Sequence, residues 1–119
     1  MAEKKLWGLH AGRNSEAASQ FIQGKCVALG FVAMGDMSKV KPDREAFKQK
    51  IHEVYPNAKA GAIPNLGGQA YRFAHEMQVG DYVAYPSKLD RLIHLGRVTG
   101  GYQYDSKQVY PNFRQGEWL

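Results

Sequence analysis

The stretch that most constrains the fold is "MQVGDYVAYPSKLDRLIHLGRVTGGYQYD", residues 77–105. Gly80-Asp81 reads as an entry turn, with Asp81 a structural carboxylate capping it. "DYVAYP" and "RLIHLGRVTG" read as strands by their β-branched and aromatic content, and a Gly-Gly turn leads into "YQYD". "FRQGEWL" supplies a last strand. Short strands punctuated by glycine suit a strongly bent antiparallel meander, so a partly closed barrel is expected.

The chain ahead of this run alternates its period. "KKLWGLHAG", from Lys4 to Gly12, is a first strand ending in a turn. In "NSEAASQFIQGK" the apolar Ala17, Ala18, Phe21 and Ile22 form a helical stripe that Asn14 or Ser15 can cap and Gly24 ends. "CVALGFVAM" is a buried strand, with Gly30 permitting a bulge or tight bend. A helix is expected from about Pro42 to Tyr55, with Pro42 in its first turn, Asp43 and Glu45 at the positive end of its dipole, and Phe47, Ile51 and Val54 on one face. "AKAGAIPNLGG" reads as a loop, followed by a helical stripe of Ala70, Phe73, Ala74 and Met77. Strand, helix, strand, helix, helix and then strands is an α+β order. At 119 residues the chain fits one domain, residues 1–119. The final "EWL" looks like the middle of a strand, which points to a domain excised from a longer protein.

Composition narrows the function classes. The longest apolar run, Cys26 to Met34, is far short of the roughly 20 residues a membrane helix needs. "MAEKKLWG" lacks the apolar core of a signal peptide, so a cytoplasmic protein without a membrane partner is expected. Cys26 is the only cysteine and sits in an apolar run, as a core thiol would. His10, His52, His75 and His94 are isolated, so no metal site is expected, and no cofactor motif appears. "KPDREAFKQK" contains Pro42-Asp43 but lacks the later acidic residue and lysine of a nuclease, and the glycines of "NLGGQA" and "VTGGYQ" lack phosphate-loop spacing. No catalytic residue is expected. Sixteen basic against eleven acidic residues, a net +5, are compatible with an anionic partner.

Taken together, "LWGLHAGRN", "VALGFVAMGDMS", "RFAHEMQVGDYVAYP" and "IHLGRVTGGYQYD" resemble the PUA-like superfamily, in the neighbourhood of EVE, ASCH and YTH domains. More narrowly, the chain is similar to domains attached to predicted Mrr-type restriction endonucleases. The resemblance covers nearly the whole chain. It implies a pseudo-barrel of about five to six mostly antiparallel strands with about two to three flanking helices. It also implies nucleic-acid binding, often by base flipping into an aromatic-lined pocket. In modification-dependent restriction systems such a module reads a modified cytosine or methylated adenine, and a separate nuclease domain cuts. DNA is the favoured partner; RNA, or a protein-interaction module without base recognition, are the alternatives.

The same resemblance places the pocket between the end of the first strand and the loop after the second. Those positions are His10, Gly12, Arg13 and Asn14, with Phe31, Gly35, Asp36 and Ser38. Asp36 can accept from an exocyclic amine and Asn14 can read a base edge in both senses, while Gly35-Asp36 also makes an ordinary turn. Tyr85-Pro86 is expected to form a further wall. Trp7, Tyr82, Tyr102, Tyr104 and Trp118 supply other π-faces, about half of which must face the core. Arg13, Lys39, Lys41, Arg72, Lys88 and Arg91, in loops or at element ends, are candidate phosphate contacts.

Overall fold

The computed structural model describes residues 3–119; Met1 and Ala2, the first residues of the expected domain span, lie outside the described residues. Five strands form one sheet: β1 (Leu6–Gly8), β2 (Cys26–Leu29), β3 (Tyr82–Pro86), β4 (Ile93–Tyr104) and β5 (Asn112–Trp118). Their spatial order is β1-β3-β4-β5-β2, with β1 parallel to β3 and every other pair antiparallel. The sheet curls into a half-barrel that three helices accompany, α1 (Ala18–Ile22), α2 (Arg44–Val54) and α3 (Ile63–Tyr71). The expected α+β pseudo-barrel is therefore the architecture found.

Curvature comes from β4. The expected Gly-Gly turn is instead a bulge within one continuous strand: Val98 pairs with Gly116 and Tyr102 with Arg114, so three residues on β4 lie opposite one on β5. Extra residues on one side of a ladder bend the strand and raise its twist. The bend carries the tip of β4 round toward β2 and the helices.

Two apolar clusters fill the molecule. One lies between the sheet and α1, with Phe21, Val27, Val83, Tyr85 and Val98 fully buried. The other lies between α2, α3 and the segment after β2, around Met37, Phe47, Ile51 and Ala70. Leu29 and Tyr102 pack against both. Cys26 is buried in the sheet, its thiol donating to the Gln20 carbonyl at 3.3 Å.

Several local expectations differ from the structure. β1 is shorter than Lys4 to Gly12, and β2 stops at Leu29, after which Val32–Met34 and Met37–Lys39 form 3₁₀ turns. No side chain caps α1; Ser15 takes a left-handed φ of 57° and Ala17 occupies the N-cap. Asp43 is the N-cap of α2, accepting from the Ala46 amide at 2.7 Å, so the helix begins just after the expected Pro42. The loop reading of "AIPNLGG" is overturned, because Ile63 to Tyr71 is helical with proline at its start. Gly67 explains the exception: a Cβ there would stand 3.1 Å from backbone atoms of Lys48 on α2, so glycine is what lets the two helices approach. A π-helical turn, Arg72–Glu76, prolongs α3.

Candidate functional site

Because β1 and β2 are the two edges of the sheet, its curl brings their C-terminal ends together without joining them. Between them opens a cleft of about 440 Å³. Gly8, Leu9 and His10 form one wall, Leu29, Gly30 and Phe31 the other, and Gln69 of α3 closes one side. The volume falls in the range of roughly 300 to 1,000 Å³ common for small-ligand sites. A narrower chamber of about 120 Å³ adjoins it, sharing Gly8, Leu9, Leu29 and Gln69 and adding Trp7, Arg72, Phe73 and Met77.

Each wall is held by a specific set of bonds. Asp81, buried at 3% exposure, accepts from the Trp7 indole at 2.9 Å, the Gln78 amide at 3.0 Å and the Lys5 amide at 3.2 Å. Burial pushes its carboxyl up, but the indole and the two amides together hold it below the usual carboxylate range. The structural reading of Asp81 stands, and it fixes Trp7 at the inner chamber.

Gly12 has a φ of 100°, and the Glu16 carboxylate occupies the place a Cβ would take. That carboxylate accepts from the Tyr110 hydroxyl at 2.7 Å and the Asn14 amide at 3.1 Å. The Tyr110 bond is the main reason the Glu16 carboxyl lies below its ordinary value. Burial, and then the neighbouring carboxylate, push the Tyr110 phenol up to about 12. Gln20 grips the backbone of Tyr110 through both its amide nitrogen and oxygen, each at 2.9 Å. Gly30 allows the cleft wall to pass over the Tyr110 ring, since a Cβ would come within 3.0 Å of it. At the mouth, Lys88 donates to the Arg13 carbonyl at 2.7 Å, linking the loop after β3 to the loop after β1.

His10, Gly12, Arg13, Phe31 and Lys88 thus meet at one cleft, and Arg72 lines its inner chamber. Asn14 is exposed beside it. Gly35, Asp36 and Lys39 line a separate cavity of about 370 Å³ against α2. There Asp36 caps a 3₁₀ turn, accepting from the Ser38 amide at 2.9 Å and hydroxyl at 2.7 Å, and from the Tyr102 hydroxyl at 3.3 Å. The Ser38 hydroxyl is the chief cause of its lowered pKa. The structure therefore does not bring Gly35, Asp36 and Ser38 to the cleft.

Tyr85 is a core residue, 2% exposed, edge-on to Phe21 at 5.1 Å and stacked on His94 at 5.7 Å. Alternation along β3 turns Val83 and Tyr85 inward and leaves Tyr82 and Pro86 outside, so the expected Tyr85 wall is absent from the cleft. Lys41 lies 3.8 Å from the Asp43 carboxylate, and Arg91 occupies a left-handed position in the turn between β3 and β4, with φ 60°.

Tyr110 and Gln69 line the cleft without having been singled out in the sequence. Tyr110 precedes β5 by two residues and reaches the site through its bonds to Glu16 and Gln20; Gln69 belongs to the segment expected to be helical and faces the cleft from α3, a helix that begins at Ile63, earlier than expected. Among the described residues no cluster of three or more histidine, cysteine or acidic side chains is arranged to hold a metal ion, and no helix is long and apolar enough to cross a membrane.

One family model matches the chain, over residues 7–119, with the description "domain of unknown function (DUF8426)". No curated protein and no solved structure gives a significant match.

Proposed function

The chain belongs to the DUF8426 family, whose description leaves its role open, and from that premise we propose that it is a non-catalytic nucleic-acid reader that takes one modified base of DNA into the cleft between β1 and β2. The observation that carries the reading is the convergence of His10, Arg13, Phe31 and Lys88 on a cavity of ligand size at the seam of the sheet. A base-flipping reader has to offset an extrusion cost of a few kcal/mol. It needs a ring to stack on, groups that meet the base edge, and cations for the phosphates. Phe31 supports the first requirement, His10 and Gln69 the second, and Arg13 and Lys88 the third.

In this reading any cutting is performed by a nuclease domain of the same polypeptide, and the protein acts in the cytoplasm. Asp36 and Tyr85 have no part in it, whereas Tyr110 and Gln69 do. The test is binding to matched duplexes carrying unmodified cytosine, modified cytosine or methylated adenine at one salt concentration. Tighter binding to one modified duplex by about tenfold, roughly 1.4 kcal/mol, is the expected result. Equal, weak binding to all three overturns it.

A protein-interaction module is the second reading, favoured by the outer face of β1, β3 and β4, where Leu6, Tyr82, Ile93 and Leu95 are exposed.

A further inference from the structure

A second cavity, of about 500 Å³, shares a wall with the cleft. It lies where the C-terminal end of α2 meets α3 and the turn that follows β2, and its lining includes Phe31, Val54, Tyr55, Pro56, Asn57 and Leu66. Gly30 and Phe31 line both spaces, so this short segment is the partition between them. Phe31 and Tyr55 meet edge to face, with centroids 6.3 Å apart and planes at 62°. The Tyr55 hydroxyl accepts from the Ala33 amide at 3.3 Å, which ties the ring to the turn after β2.

No lining residue carries a formal charge; Tyr55 and Asn57 supply its polar side chains. A phosphate or carboxylate group finds no counter-charge inside, whereas a flat uncharged ring finds aromatic surface and an amide able both to donate and to accept. The cations lie on the other side of the partition, at Arg13 and Lys88. This division of apolar floor and basic margin is what consecutive nucleotides of one strand require, with bases inside and phosphates at the rim.

We propose that this cavity receives the base adjacent to the one held in the cleft, so that Phe31 separates two neighbouring bases of one strand. The inference rests on the cleft being a base site. It makes the protein a reader of a dinucleotide step: Asn57 meets the edge of the second base, Phe31 stacks on its face, and Tyr55, edge-on to Phe31, closes the side of the cavity.

The test uses the full chain and fluorescent oligonucleotides that carry the preferred base, with an abasic site placed in turn on its 5′ and 3′ sides. Wild-type binding is expected to weaken about tenfold on one side and little on the other, as stacking predicts. Ala58→Trp, which fills the cavity from its rim, is expected to weaken the intact oligonucleotide by a similar factor and to erase the abasic effect. Leu66→Ala, checked by thermal melting, serves if the tryptophan variant does not fold, and is expected to reduce the abasic effect. Base-selective binding that ignores both abasic positions overturns this inference alone. An abasic effect unchanged in the folded variants also overturns it, since the neighbour then stacks elsewhere. Saturation of the cavity by an apolar peptide, with oligonucleotide affinity unchanged, overturns it in favour of a protein partner. Loss of nucleic-acid binding altogether removes the cleft reading and this inference together.

Discussion

Asp81 and Arg13 show how differently a charged side chain serves this molecule. Asp81 is buried and accepts from three donors on two separate segments. Asp81→Ala leaves those donors unpartnered, so a loss of about 3 kcal/mol is expected in urea unfolding. Trp7 loses its anchor in the same variant, so its fluorescence should shift toward that of a hydrated indole in the folded state. Arg13 is exposed at the cleft mouth, and its carbonyl, not its guanidinium, bonds to Lys88. Arg13→Ala is expected to leave the melting temperature unchanged, to weaken every oligonucleotide alike and to flatten the salt slope by about one unit. A preference that changes with Arg13→Ala would instead make it a base contact. At this scale the sequence was legible for the local part of Asp81's role, the bond from the Gln78 amide at its turn, and not for the bonds from Trp7 and Lys5, more than seventy residues earlier. Tyr110 was illegible because its place is set by Gln20 and Glu16, some ninety residues earlier.

Among the elements, α3 was read worst, and the reason is a conflict between propensity and packing. Two glycines and a proline in nine residues argue against a helix. Gly67 is there because α2 runs too close for a side chain, with backbone atoms of Lys48 3.1 Å from where its Cβ would be, and the proline sits in the first turn, where its missing amide costs the helix no bond. Gly67→Ala should therefore lower the melting temperature although alanine is the better helix former, with a loss of about 1 to 2 kcal/mol. Gly61→Ala has open space around it and should be neutral. Comparable destabilisation by both would remove the packing argument. The π turn that follows is pinned by Arg114, buried at 5% exposure, which donates to the carbonyls of Phe73 at 2.9 Å and Ala74 at 3.1 Å. Arg114→Met should raise hydrogen exchange across residues 72–77 more than in β3, because those carbonyls lose their donor.

For the molecule as a whole, the order of elements along the chain and the three helices followed from the alternation of hydrophobic period, whereas the parallel pairing of β1 with β3 did not, and the glycines expected to turn the chain bulge within β4 instead. The composition of the cleft followed only in part. The loop after β2 folds back in two 3₁₀ turns, and that local geometry, invisible in the apolar run that precedes it, carries Asp36 away to α2. The fold also sets a pH response. Burial pushes the Tyr102 and Tyr110 phenols up to about 12 from an ordinary 10.0. The folded state holds those two protons more tightly than the unfolded chain, so their contribution to stability is complete below pH 10 and is lost as the pH rises toward 12. Thermal melts should show this alkaline decline, and Tyr102→Phe should reduce it; a decline unaltered by that change would assign the loss to other groups.

The seam between β1 and β2 has one more consequence. Each of these strands has a ladder neighbour on one side only, so the main-chain groups of their free sides face the gap. Whatever enters there meets a script written in peptide amides and carbonyls, which no side-chain replacement can erase. Alanine scanning of the cleft would then recover only part of the recognition energy. Members of the family would be free to vary the letters of the walls while keeping the same grammar, and proline or ester substitution in the backbone at the ends of β1 and β2 is the change that would disrupt it.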